Sequence, residues 1–183
     1  MPFKSWDVCK IYVDTPMTEY RLAKPDELET LKAFLFHHGA NFWNNLPQEG
    51  VDNEFSLVAA EQASALVAYS EEQPVGLGIF YHPQALPNHY LKFSQGRPAI
   101  YIAEVVVHQD HGGQGIGTSL LKDIIQRAAL LGAEILLVDR HTENAESAGM
   151  MRKAGFTELS TFIDLGRRDF GNRSTTVLYF DLV

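Results

Sequence analysis

Four glycines fall within six positions in the segment Gly112-Gly113-Gln114-Gly115-Ile116-Gly117, with Thr118 directly after it. Glycine reaches positive φ freely and lets a ligand approach the main chain closely. A strand-like run over residues 100–107 comes before the segment, and an amphipathic stretch over 118–131 follows it. Amides in such a loop, with the positive end of the next helix, make a seat for an anion such as phosphate or pyrophosphate. A tight turn with no ligand is the plainer alternative. A Walker-type triphosphate loop requires Lys directly after its final glycine, where this chain has Thr118. A dinucleotide fingerprint counted from Gly113 and Gly115 would place its third glycine at Thr118. Asp139 does stand where a ribose-binding acid would sit, but the chain ends in one helix and a hairpin-like pair instead of further parallel units.

The elements that must hold this loop follow from periodicity. Apolar residues Leu120, Leu121, Ile124, Ile125 and Ala128 share one helical face, and Gly132 stops the helix. A nearly all-apolar strand is expected over 134–139, as when helices cover both faces of a sheet. Asn144 can cap a helix ending at Ala154, with Gly155 in the left-handed stop position. Earlier, short strands are expected over 10–13 and 19–23. A helix should run from the Pro25 region to His38 on Leu28, Leu31, Phe34 and Leu35, followed by a loop over 39–51 and a second helix over 52–62. Residues 65–82 have the form of a hairpin turning at Glu71-Glu72-Gln73-Pro74. Residues 82–98 form a long excursion, and strands over 158–165 and 174–182 close the chain around a turn carrying Arg167, Arg168 and Arg173.

At 183 residues and 20.5 kDa, with 45% hydrophobic and 21% charged residues, the chain is expected to fold as one domain with a real core, and disorder is set aside. Its net charge of −8 repels phosphate backbones, so nucleic acid is not an expected partner and a cationic amine suits better. The lone cysteine, Cys9, excludes an internal disulfide framework or a Cys-based zinc cage and reads as a small buried or edge-strand residue. No His/Asp/Glu set has metal-ligand spacing, so no metal is expected. No apolar run approaches the ~18 residues of a membrane span, and the start Met1-Pro2-Phe3-Lys4-Ser5-Trp6-Asp7 lacks a secretory core; a cytoplasmic location without membrane attachment is expected.

Two motifs in order carry a resemblance. The glycine loop follows the strand ending at Val107. Downstream, Asn144-Ala145-Glu146-Ser147-Ala148-Gly149-Met150-Met151-Arg152-Lys153-Ala154-Gly155-Phe156 is similar to Asn-x-x-Ala-x-x-Leu-Tyr-x-Lys-x-Gly-Phe. Together they resemble the GNAT superfamily of acyl-CoA-dependent N-acetyltransferases, over residues 19–183 and most strongly over 102–156. The resemblance implies a single mixed α/β domain over 1–183, with 1–18 as an N-terminal extension. Its sheet would be splayed, mostly antiparallel, of six to seven strands, flanked by about four helices. It implies acetyl-CoA as co-substrate, its pantetheine arm entering a wedge beside the backbone of Val105, Val106 and Val107. The pyrophosphate would sit on the amides of Gly112, Gly113, Gln114, Gly115, Ile116, Gly117 and Thr118. Asn144, besides capping its helix, would hydrogen-bond the CoA arm, with Ser147 beside it. Similar proteins often pair through their C-terminal strands, so a homodimer is an expectation of the same kind.

Two positions depart from the family pattern. Gly112 stands where Arg or Gln is usual. Met151 stands where many members place a Tyr that protonates the departing thiolate, and a thioether cannot donate a proton. Ser147, Tyr101 and His141 are the candidate replacements. The acceptor must be neutral to attack, yet a free alkylamine is only ~0.1% neutral at pH 7, so a base or a desolvating pocket is required. Glu104, three residues before the end of the central strand, is the candidate base; an outward glutamate paired with a cation is the alternative. Alternation places Glu104 and Val106 on one face and Val105 and Val107 on the other. His108 and His111 flank the loop and could meet CoA phosphates when protonated. Phe36, Phe42, Trp43 and Phe55 wall an acceptor pocket or serve as core, and Asp52, Glu54 or Glu61 could attract a cationic group. Arg167, Arg168 and Arg173 read as a solvated turn, or as partners for a carboxylate or the CoA 3′-phosphate. The resulting expectation is acetyl transfer from acetyl-CoA to a primary amine of a small molecule or peptide, by direct attack in a ternary complex. The alternatives are a catalytically weak acyl-CoA-binding sensor and, further off, a nucleotide-binding domain.

Overall fold

The computed structural model describes residues 17–183. Cys9, the strand expected at 10–13 and most of the expected extension at 1–18 lie outside the described residues. Seven strands form one sheet in the order β1-β2-β3-β4-β5-β7-β6, with β1 Glu19–Leu22, β2 Ala63–Ser70, β3 Gln73–Tyr81, β4 Ala99–Val107, β5 Ile135–His141, β6 Thr157–Ile163 and β7 Ser174–Asp181. Among the described strands only the β4–β5 pair is parallel. Among the described residues the helices are α1 Leu28–Gly39, α2 Gln48–Ala59, the short α3 Leu91–Ser94, α4 Ile116–Leu130 and α5 Ala145–Ala154. This is the mixed, mostly antiparallel architecture expected, with α3 added inside the long excursion.

Each face of the sheet buries its own core. Leu31, Phe34 and Leu35 of α1 and Val51 and Phe55 of α2 pack with Leu77, Ile79 and Val106 on one face. Leu120, Leu121, Ile124 and Ala128 of α4 pack with Ile100, Ile102, Leu136 and Val138 on the other. The helical stripe read from the sequence is thus the buried stripe of α4, with Ile125 at its half-buried margin. The β2–β3 turn is tighter than expected. Glu71 and Glu72, at φ of 49° and 63°, make it alone, while Gln73 and Pro74 already pair with β2 across a bulge at Ala68/Tyr69. α2 begins four residues before its expected start because Val51 and Phe55, one turn apart, both reach the core; it ends where Glu61 turns left-handed at φ 56°.

Candidate active site

β4 and β5 pair only from Ala99↔Ile135 to Ile102↔Val138. Beyond that point β5 continues to pair with β7 through His141↔Thr175, while β4 stays on β3 through Gly76↔Val107, so the two strands diverge and open a wedge. Val105 and Val107 are partly accessible along this opening, whereas Val106 is buried beneath α1. The β3–β4 register shifts between Ile79 and Phe80, leaving Ala103 of β4 without a partner in β3. Such a bulge adds one residue and re-aims the side chains after it. Glu104 therefore comes to the face that also carries Tyr101, from which strict alternation would separate it.

At the wedge mouth a 3-10 turn, residues Gln109–His111, leads into the glycine loop. Gly113 and Gly115 hold φ of 75° and 82°, and a β-carbon on either would meet nothing within 4 Å, so the loop is open to a ligand. α4 starts at Ile116, two residues earlier than expected, with Gly115 in the left-handed N-cap position. Among the described residues, no hydrogen-bond acceptor in the chain meets the amides from Gly112 to Thr118. A run of free amides at the positive end of a 15-residue helix is a ready anion site. Gly117 serves packing as well, since a β-carbon there would collide with the Met150 sulfur of α5. Across the wedge, Asn144 Oδ1 accepts from the Ser147 amide at 3.1 Å, which makes Asn144 the N-cap of α5. Its side-chain amide nitrogen makes no hydrogen bond within the described residues.

A second cavity, about 290 Å³, lies between the α1–α2 loop and the β6–β7 turn, lined among others by Phe42, Trp43, Asn44, His141, Arg167 and Phe170. Phe42 stacks near Phe170 (4.7 Å between centroids) and Trp43 near His141 (4.6 Å), so aromatic pairs bridge the two loops. Of the expected wall residues, Phe42 and Trp43 are there, whereas Phe55 and Phe36 belong to the core. Asn44 Nδ2 donates to Glu104 Oε2 at 3.3 Å, which ties the base candidate to this loop. Burial raises the Glu104 carboxyl to about 7, against the opposing pull of that hydrogen bond and of Arg167 and Arg168. Glu54 of α2 is raised to about 8, first by burial and then by the Glu104 charge. Asp52 instead pairs with Lys32 at 3.1 Å.

The arginine turn is solvated at Arg173, which is exposed, but not at Arg168. Arg168 is 8% exposed and Asp139 only 4%, and they pair at 2.8 Å. Asp139 also accepts from Tyr101 Oη at 3.0 Å, from the Tyr90 hydroxyl, and from Arg167 at 3.1 and 3.2 Å. The carboxylate thereby joins β4, β5, the excursion and the β6–β7 turn, at the first β5 residue past the parallel pairing. Periodicity could not show this, because every partner but the strand itself is distant in the chain; the lone acid ending an apolar strand was the available signal. The three replacement proton donors are all engaged. Tyr101 donates to Asp139, Ser147 Oγ leans on the Met151 sulfur at 3.9 Å, and His141 accepts the Glu143 amide at Nδ1 (3.1 Å), leaving Nε2–H for the Phe170 carbonyl (2.9 Å). Met151 itself is buried in the α4–α5 core. His108 sits against His38, ring centroids 4.0 Å apart, and His111 beyond it at 5.1 Å. Among the described residues no three His, Cys, Asp or Glu side chains are grouped to hold a metal, and no helix is long and apolar enough to cross a membrane.

The sequence model of the acetyltransferase (GNAT) family matches residues 22–156. The chain belongs to that family. This GNAT protein has no match among curated protein sequences. Among solved structures it is similar to a ribosomal-protein-alanine N-acetyltransferase from Brucella melitensis, at 22% identity and TM-score 0.68, over 90% of this chain and 99% of that one. It is also similar to a Bacillus subtilis acetyltransferase in complex with CoA, at 18% identity and TM-score 0.64, over 91% and 100%. A third is AAC(6')-Ib in complex with paromomycin and acetyl-CoA, at 16% identity and TM-score 0.68, over 90% and 93%. These likenesses establish the fold, and with the family match make this GNAT protein an acetyltransferase of the class that uses acetyl-CoA.

Proposed function

We propose that this acetyltransferase moves the acetyl group of acetyl-CoA to a primary amine of a small molecule or peptide, by direct attack in a ternary complex. The carrying observation is the β4–β5 wedge, with free loop amides at one end and Glu104, beside the aromatic cavity, at the other. The amides of Gly112, Gly113, Gln114, Gly115, Ile116, Gly117 and Thr118 suit the pyrophosphate, and the exposed ladder edge of Val105, Val106 and Val107 suits the amide-bearing pantetheine arm. Asn144 offers its unused amide nitrogen to the same arm, with Ser147 next to it. The bound donor supplies a thioester carbonyl open to attack by an amine.

The chain's own part is proton transfer and dehydration. An acceptor ammonium entering past Phe42 and Trp43 gives its proton to a Glu104 oxygen, directly or through one water, and its nitrogen lone pair is freed to attack. A carboxylate raised to about 7 is matched to this task near neutral pH. Because Met151 holds no proton and Ser147, Tyr101 and His141 are engaged, we assign protonation of the leaving thiolate to a water, which takes up the second proton that the attacking nitrogen sheds as the amide forms. A homodimer, expected from the resemblance, belongs to the same proposal and is checked by light scattering.

The test has two stages. Acetyl-CoA at 100 times its Kd should stabilise the native state by about 2.7 kcal/mol and raise the melting temperature accordingly. Amines are then screened for thiol release in its presence, and with the responding amine Glu104→Gln should lower kcat at pH 7 by roughly 10²-fold or more while leaving acetyl-CoA stabilisation intact. An unchanged rate removes Glu104 as the base, and stabilisation without transfer to any amine favours the sensor reading.

A further inference from the structure

The chain uses only part of the Arg167 guanidinium. Its Nη1 and Nη2 hold the two oxygens of Asp139 end on, at 3.1 and 3.2 Å, and Nη1 also donates to Tyr90 Oη at 3.0 Å. The Nε–H and the remaining Nη2–H lie parallel along another edge of this planar group. Among the described residues neither of these two donors meets an acceptor. A fork of this kind matches the two oxygens of a carboxylate. The charge is in surplus as well. Asp139 is already balanced by buried Arg168 at 2.8 Å, so Arg167 leaves the trio with one positive charge. Asp164 meets it only loosely, 3.9 Å from Nη1, while accepting the Thr175 hydroxyl at 2.8 Å. Asp169 is exposed and makes no ion pair with Arg167.

The fork stands on the acceptor cavity. Arg167 lines that space together with Phe42, Trp43 and Phe170, and so does Asn44, whose Nδ2 is 3.3 Å from Glu104. The guanidinium is fixed in advance by Asp139 and by its turn, where the Arg167 and Arg168 amides both donate to the Asp164 carbonyl, at 3.2 and 2.9 Å. A donor held this way costs little ordering when a ligand arrives. We propose that the acceptor is an amino acid with an apolar side chain, its carboxylate taken by Nε–H and Nη2–H of Arg167, its side chain laid against Phe42 and Trp43, and its amino group turned to Glu104. This rests on the acetyl-transfer reading above and narrows its amine. An ammonium and a carboxylate on one molecule answer both Glu104 and the surplus charge of Arg167. A plain amine leaves Arg167 unanswered, and a peptide N-terminus has lost the neighbouring carboxylate to an amide bond.

Binding is read first on products, so that no turnover is needed. N-acetylphenylalanine and N-acetylphenethylamine, which differ only by the carboxylate, are titrated by calorimetry at pH 7 in the presence of CoA. The wild type should bind the carboxylate-bearing product roughly 10- to 100-fold more tightly, the range for hydrogen bonds to a charged group. Arg167→Gln should erase that difference while leaving stabilisation by acetyl-CoA unchanged, and Arg167→Lys, with the charge but not the fork, should restore only part of it. Phenylalanine, leucine and methionine are then compared with their decarboxylated amines for thiol release, and the same preference is expected in kcat/KM. Equal binding of the two products, or binding of neither, overturns the inference on the wild type alone, whatever becomes of the variants. So does a preference that survives Arg167→Gln, or a loss of acetyl-CoA stabilisation in that variant, which gives the fork to a CoA phosphate instead. Transfer to phenethylamine as fast as to phenylalanine refutes the amino-acid class and leaves acetyl transfer standing. A carboxylate preference in binding without transfer to any amine upholds the fork and sinks acetyl transfer, so the two failures are told apart.

Discussion

Replacing Asp139 by Asn should damage this protein more than any other single-atom change at the site. The substitution keeps the shape but removes the charge that Arg168 meets at 2.8 Å, and it points amide hydrogens at hydroxyl and guanidinium donors. Arg167 is 41% exposed and can fall back on water and on Asp164, 3.9 Å away. Arg168 cannot. At 8% exposure it would keep only Thr175 Oγ1 at 2.9 Å and the Trp43 carbonyl at 3.5 Å. Breaking one half of a buried ion pair costs about 3–5 kcal/mol, because the remaining charge is left uncompensated. For a chain of this size each kcal/mol moves the melting temperature by roughly 2–4 °C, so a fall of roughly 6–20 °C is expected by calorimetry or circular dichroism. The double change Asp139→Asn with Arg168→Met removes the stranded guanidinium while keeping an amide oxygen for Tyr90 and Tyr101 to donate to, so it should recover part of that loss. A fall of under about 2 °C for Asp139→Asn would refute the account, and so would a double variant as unstable as the single one.

Gly115→Glu should abolish the thermal stabilisation by acetyl-CoA, since it sets bulk and negative charge among the free amides and forces a side chain onto φ 82°; retained stabilisation would put the pyrophosphate elsewhere. Asn144→Ala removes the cap on the Ser147 amide and should cost about 1 kcal/mol by denaturant unfolding, together with a loss of acetyl-CoA affinity by calorimetry. Glu27, held by Arg21 at 2.6 Å, has its carboxyl lowered from 4.5 to about 2. A carboxyl lowered on folding stabilises above its unfolded value, so Glu27→Gln should be less stable than wild type at pH 7. That difference should shrink as the pH falls from about 4.5 toward 2, and a constant difference would contradict the ion pair.

Much of the proposed cofactor end was legible in the residues themselves. The stripe Leu120, Leu121, Ile124 and Ala128 names the buried face of α4, Gly113 and Gly115 mark positions that need positive φ, and Asn144 and Gly155 bracket α5. Each is a local matter, decided by helical period, by the missing β-carbon, or by a side chain reaching an amide three residues away. The acceptor end was not legible in that way. The unpaired Ala103 shifts the face of Glu104, but a bulge shows only when β3 is laid beside β4. Arg168 and Asp139 are separated by 29 positions and charged, so composition alone assigns them to solvent; only burial between the excursion and the closing hairpin turns them into a core pair. Glu54 lies on α2, which begins four residues before the expected start, and its burial is set by segments contributed from elsewhere in the chain. Periodicity and caps act over one or two turns of chain, whereas burial and charge compensation depend on which distant segments the closed sheet brings together. The sequence by itself therefore determined the family, the helix faces and the glycine loop with its positive-φ positions, while the tertiary structure alone decided how the site is charged.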